Sequence, residues 1–145
     1  MSTCTFFGHW NTPDKVEEPL KNLLIFLIKE KGVNNFYVGN QGGFDRIVKK
    51  VLELLKKDYP QITYSVVLAY LNVKCESDIQ RERYKDSIYP EGLEKTPPRF
   101  AIYKRNLWMI EKSDIVVTYV KNVGGAATFK EISEKKGKTV FNITL

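Results

Sequence analysis

The run Ile115-Val116-Val117-Thr118-Tyr119 is a short, β-branched strand pattern, and within a few residues it leads through Gly124-Gly125 into a helical pattern. A strand that feeds a helix must let that helix return across the sheet before the next strand begins. The next strand pattern, Thr139 to Ile143, follows directly after Gly137. This is the unit of a parallel sheet, and the same alternation recurs along the chain.

Thr3 to Phe7 reads as a first buried strand and ends in Gly8-His9-Trp10. Thr12-Pro13-Asp14 reads as a helix start, with Thr as cap and Pro at the first helical position. Val16, Leu20, Leu23, Leu24, Leu27 and Ile28 then recur at the spacing of one helix face, and Gly32 closes the helix. Phe36-Tyr37-Val38 is the second strand, followed by Gly39-Asn40-Gln41-Gly42-Gly43. A second helix carries Phe44, Ile47, Val48, Val51, Leu54 and Leu55 on one face and stops at Pro60. Thr63 to Leu71 is the third strand. From Asn72 to Pro98 the pattern is polar, and a loop of that length predicts a flap near a ligand. Arg99 to Lys112 is a third helix, with Phe100, Tyr103, Leu107 and Ile110 expected toward the core; Thr128 to Lys136 is a fourth.

The expectation is therefore one α/β domain over residues 1–145. It is a doubly wound, five-stranded parallel sheet of order 3-2-1-4-5 with helices on both faces. In that order the first and fourth strands are neighbours where the winding reverses, and ligands bind outside the carboxyl ends of strands at such a point. The loops that meet there are Gly8-His9-Trp10 and the segment from Val123 to Thr128. Both carry glycine, and a helix start offers free N–H groups to an anion.

Composition narrows the function classes. The chain has 145 residues and a formal net charge of +6, with lysines interspersed among Glu and Asp. That balance fits a solvated basic surface, and it keeps single-stranded nucleic acid open as a partner. No apolar run is long enough to span a membrane, and no signal peptide is visible, so the expected location is cytoplasmic. One His and the two separated cysteines, Cys4 and Cys75, lack the spacing of a zinc site; no metal and no cofactor is implied.

Gly124-Gly125-Ala126-Ala127-Thr128-Phe129-Lys130-Glu131 resembles the P-G-G-x-G-T-x-x-E signature of the "Lonely guy" (LOG) phosphoribohydrolases. Lys104-Arg105-Asn106-Leu107-Trp108-Met109 resembles their R-K-x-x-M helix. Cys4 to His9 and Gly39 to Asp45 look like segments of small bacterial and phage proteins of the same SLOG superfamily of Rossmann-like folds, which also includes the DNA-processing protein A family. Val123 stands at the signature's Pro and Ala127 at its second Gly. Trp10 follows Gly8-His9 where many small relatives carry Arg, exchanging an anion contact for an aromatic surface on which a base can stack.

The resemblance implies a nucleotide-like ligand at Gly124, Gly125, Ala126, Ala127, Thr128 and Glu131, with Arg105 as an anion contact. Gly8, His9 and Trp10 would line the switch point, and Gly39, Asn40, Gly42, Gly43 and Asp45 the base or ribose side. The aromatic third helix and the resemblance favour a homo-oligomer, a homodimer or larger assembly. Three functions stay open. The first is a sensor or sequestering module for a nucleotide-derived molecule. The second is a phosphoribohydrolase cleaving the N-glycosidic bond of a nucleoside 5′-monophosphate, with Arg105 and Glu131 as catalytic residues. The third is single-stranded nucleic-acid binding. Bland alternatives sit beside these roles: Thr128 as a helix cap, Glu131 as a carboxylate favoured by the helix dipole, Asp45 as a cap of the second helix.

Overall fold

The computed structural model describes residues 2–70 and 87–145. The strands are β1 (Ser2–Gly8), β2 (Val33–Val38), β3 (Thr63–Val67), β4 (Ser87–Ile88), β5 (Ile115–Tyr119) and β6 (Thr139–Asn142). The α-helices are α1 (Glu17–Glu30), α2 (Gly42–Asp58), α3 (Pro98–Glu111) and α4 (Gly125–Lys135). The strands form one sheet of order β4-β3-β2-β1-β5-β6, and every pairing is parallel.

The fold is the expected Rossmann-like α/β arrangement, with one correction: the sheet has six strands, not five. The addition is β4, two residues paired to the outer edge of β3, where the Leu68 N–H donates to Ile88 O at 2.8 Å. A segment this short has no side-chain periodicity to read; backbone pairing alone makes it a strand. The third strand ends at Val67, earlier than expected. Residues 72–86 of the expected flap lie outside the described residues.

Side-chain alternation along the central strands builds two cores. On one face Cys4 and Phe6 of β1, with Val117 and Tyr119 of β5, pack against Leu20, Leu24 and Leu27 of α1 and Phe44, Val48 and Val51 of α2. On the other, Phe7 and Val116 pack with Met109 and Ile110 of α3 and Phe129 of α4. Phe6 stacks on Phe36 at 6.0 Å and Phe7 on Phe129 at 5.4 Å. A strand buried on both faces reads as a continuous apolar run, which is why β1 and β5 are legible.

Two helix readings need correction. Thr12 does not cap α1: its hydroxyl donates to His9 O, and a 3-10 turn, Asp14–Val16, precedes the helix. On α3, Phe100 and Tyr103 are each 48% exposed, whereas Ala101, Arg105, Asn106, Met109 and Ile110 are buried. Apolar spacing pointed the aromatic residues inward. The helix instead turns an Arg and an Asn toward the sheet, where Arg105 donates to Asn106 Oδ1 and to Val67 O at the end of β3.

Candidate functional site

Because β1 neighbours β5, with Gly8 registered opposite Tyr119, their carboxyl ends open onto a common space. A cleft of about 480 Å³ lies there, within the size range of small-molecule sites. Its lining brings together Gly8, His9, Trp10, Asp45, Arg105, Gly124, Gly125 and Ala126. These come from four separate segments of the sequence.

The lip after β1 is held by close backbone approach. The Gly43 N–H donates to Trp10 O at 2.7 Å, and a Cβ at position 43 would stand 2.5 Å from that oxygen. Gly42, at φ +88°, has the Trp10 Cα 2.9 Å from its own Cβ position. The Trp10 backbone is thus pinned to the start of α2, while its side chain is 78% exposed at the mouth of the cleft. A planar ring presented from a fixed backbone is a stacking surface for an aromatic ligand.

The opposite lip is the β5–α4 loop. Gly124 caps α4 at φ 144° and ψ −165°, a conformation essentially reserved for glycine. Nothing lies within 4 Å of a Cβ at Gly124 or Gly125, and both glycines are exposed and line the cleft at the start of α4. Two side chains tie the loop down. His9 Nε2 accepts the Lys121 N–H at 2.9 Å and the Asn122 N–H at 3.4 Å, so its proton sits on Nδ1. Asn142 accepts the Val120 N–H at 2.9 Å and returns a bond to Val120 O at 3.1 Å.

Between the lips lie two buried side chains of opposite charge, Arg105 and Asp45. Arg105, 2% exposed, donates from Nη1 to Val67 O at 3.0 Å and to Asn40 Oδ1 at 3.3 Å, and from Nε to Asn106 Oδ1 at 2.8 Å. Burial pushes its guanidinium below the usual value, and the charge of Asp45 opposes that. Asp45, 9% exposed, accepts the N–H of the N-cap residue Gln41 on Oδ2 at 3.0 Å, reaching back over the start of α2. Burial raises its carboxyl to about 6, against the opposing effects of the Gln41 N–H, Arg105 and Lys49. Gly39 makes the pair possible. A Cβ there would stand 2.8 Å from Asp45 Oδ2 and 3.2 Å from Arg105 Nη1.

The remaining expected residues fall elsewhere. Gly39, Asn40, Gly42 and Gly43 are not among the lining residues, but each approaches one: Gly39 approaches Asp45 and Arg105, Asn40 accepts from Arg105, and Gly42 and Gly43 approach Trp10. Ala127 is half-buried off the cleft, and the Thr128 hydroxyl donates to Gly124 O at 3.1 Å within its own helix turn. Glu131 does not line the cleft: its side chain is 67% exposed and pairs with Lys135 at 3.1 Å. Gln41, Asn106, Asn122 and Asn142 went unrecognised in the sequence. A usable signal existed for α3: Ala101, Arg105 and Met109 recur every four residues, so an inward stripe through Arg105 competes with the aromatic one.

No family model and no curated protein matches the sequence. Among solved structures, the chain is similar to DNA processing protein A of Helicobacter pylori, described for its single-stranded DNA binding mode. The TM-score is 0.66 at 15% identity, over 99% of this chain and 66% of the other. The chain thus spans just under two thirds of that protein's length, and the likeness is one of fold.

Proposed function

We propose that this protein binds a nucleotide or nucleotide-derived small molecule in the cleft between the β1 and β5 lips, and that it belongs among the SLOG Rossmann-like proteins. The supporting observation is that one cleft of ligand size holds both the unobstructed start of α4 and the buried Arg105. The helix start takes the anionic group, Arg105 adds positive potential, and Trp10 offers a face for the base. Binding without turnover is the primary reading. The carboxylate that the hydrolase alternative assigns to the reaction, Glu131, is solvated and paired with Lys135, which weighs against that role.

Titration calorimetry with nucleoside 5′-monophosphates tests the reading, using Gly125→Asp as the control. Nothing stands within 4 Å of a Cβ at this position, and an acidic side chain suits the first turn of a helix, so the variant should fold. Its carboxylate would occupy the anion position and lower affinity by roughly tenfold or more. Unchanged affinity would remove the α4 start from the site. A parallel assay for free base, expected to be negative, separates binding from hydrolysis.

Single-stranded DNA binding is a second reading. The likeness to DNA processing protein A and the net charge of +6 favour it. It requires affinity for an oligonucleotide that falls steeply with salt.

A further inference from the structure

The cleft contains one carboxylate among its described lining residues, and that carboxylate is under-used. Asp45 is fixed in place by burial and by the Gln41 N–H on Oδ2. An ionised carboxylate has about four acceptor positions. Arg105, the nearby cation, directs Nε and Nη1 to Asn106, Asn40 and Val67, and the two residues form no ion pair within 4.0 Å. Asp45 lines the cleft and neither of its oxygens is sealed off without a partner, so its spare acceptor positions can be reached by donors that enter the cleft. Phosphate cannot be what it receives, since like charges repel.

We propose that Asp45 is the sugar-recognition group of the cleft: its carboxylate accepts hydrogen bonds from the vicinal hydroxyls of a ribonucleotide-class ligand. This rests on the nucleotide reading and narrows it. With the phosphate at the start of α4 and the base on Trp10, the sugar lies between them, where Asp45 borders the cleft. Two O–H groups on one carboxylate form short, charge-assisted bonds, the chemistry by which acidic residues hold ribose in dinucleotide-binding folds. DNA offers no such pair: it lacks the 2′-hydroxyl, and its 3′-oxygen is esterified within a strand. The same residue that selects a free diol therefore disfavours single-stranded DNA in this cleft.

Recognition by a carboxylate requires it to be ionised. The charged and titratable groups around Asp45 are Arg105 from α3, Lys49 from its own helix and His9 from the β1 lip, with Tyr70 adjoining Arg105. Preference for the diol should fall as pH drops through about 6. A nucleotide phosphate titrates in the same range, so the quantity to follow is a ratio of affinities, in which the phosphate cancels.

The experiment is calorimetry with ribonucleoside 5′-monophosphates and their 2′,3′-dideoxy analogues on the wild type, Asp45→Asn and Glu131→Gln. The Asn side chain keeps an oxygen for the Gln41 N–H, so the α2 start is preserved. The expected result is a wild-type preference for the diol of about tenfold or more at pH 7.5, shrinking severalfold by pH 5. Asp45→Asn should lose the preference, bind the dideoxy analogue no more weakly, and show no pH dependence of the ratio; Glu131→Gln should match the wild type. Equal wild-type binding of both ligands, or a preference that survives in Asp45→Asn, would overturn the assignment and leave the nucleotide reading standing. Failure of every monophosphate to bind would overturn both.

Discussion

At the β1 lip, a Cβ on Gly43 would stand 2.5 Å from the backbone oxygen of Trp10, and a Cβ on Gly8 would stand 2.2 Å from the Phe44 ring. At the β5 lip, a Cβ on Gly124 or Gly125 would meet nothing within 4 Å. Gly42-Gly43, which hold the β1 lip from the start of α2, and Gly124-Gly125 of the β5 lip are both glycine pairs at a helix start, and in sequence they look alike. In the fold they do opposite things. The β1 lip uses glycine to bring two backbones into contact, which fixes Trp10 and seals the cleft wall. The β5 lip uses glycine to leave room, and the room lies beside a helix start. Crowded glycines serve architecture; uncrowded ones in a cleft mark the place kept for a ligand.

The sharpest way to break this contrast is Gly43→Ala. Its methyl group is driven into backbone, which cannot rotate away, and the Gly43 to Trp10 hydrogen bond is disturbed as well. A loss on the order of 3 kcal/mol is expected, visible as a drop in Tm of roughly 10 °C or more. Gly125→Ala, its counterpart on the open lip, should stay within about 0.5 kcal/mol of the wild type. Comparable losses in the two variants would abolish the distinction.

Asp45→Asn is next in size, and its sign is opposite. The native carboxyl titrates near 6, above its ordinary 3.8, so the native state holds its proton more tightly than the unfolded chain does. The resulting stability is fully present below pH 4 and is lost as pH rises through 6. Replacing the carboxyl with an amide removes that cost. The variant should be more stable than the wild type at pH 7.5 by about 2 to 3 kcal/mol, with the gain vanishing near pH 4. Denaturant titrations at the two pH values measure this. A residue that costs stability where it stands, and whose removal abolishes diol preference, is kept for function.

The smallest effect concerns the clamp between the lips. His9→Phe keeps the edge-on contact with Tyr119 but removes the acceptor for the Lys121 and Asn122 N–H groups. The cost should be about 1 kcal/mol, because the freed N–H groups can reach water. Nucleotide affinity should fall more than stability does, since the α4 start is then less well positioned. Affinity equal to the wild type would make His9 a bystander.

Most of the sheet was legible because its strands announce themselves. β1 and β5 are buried along most of their length and rich in apolar and β-branched residues, so their direction and adjacency followed from elementary rules of chain connection. β4 was not legible, since two residues paired at an edge carry no pattern. Within the site, Gly8, Trp10 and Gly124 to Ala126 come together at the cleft because loops at a topological switch point must meet, whereas Arg105 stood out in the sequence only through a motif resemblance on a helix. Asn142 was missed because it acts on Val120 from a different strand, through a backbone contact that only the pairing of β5 with β6 creates.

The sequence by itself determined the alternation of strands and helices, the parallel sheet and its winding reversal, and the two glycine-bearing loops at that reversal. These depend on local periodicity and on connection rules, which the residues carry individually. Only the tertiary structure decided which carboxylate borders the cleft. Asp45 lies in the first turn of α2 and Glu131 in the second turn of α4, and depth along a helix does not say which of them faces the cleft. The rotation of each helix about its own axis does so: α2 buries Asp45 opposite Arg105, while α4 leaves Glu131 to solvent and Lys135. That rotation is set by the packing of Phe44 and Phe129 into opposite cores, and packing is a property of the whole chain.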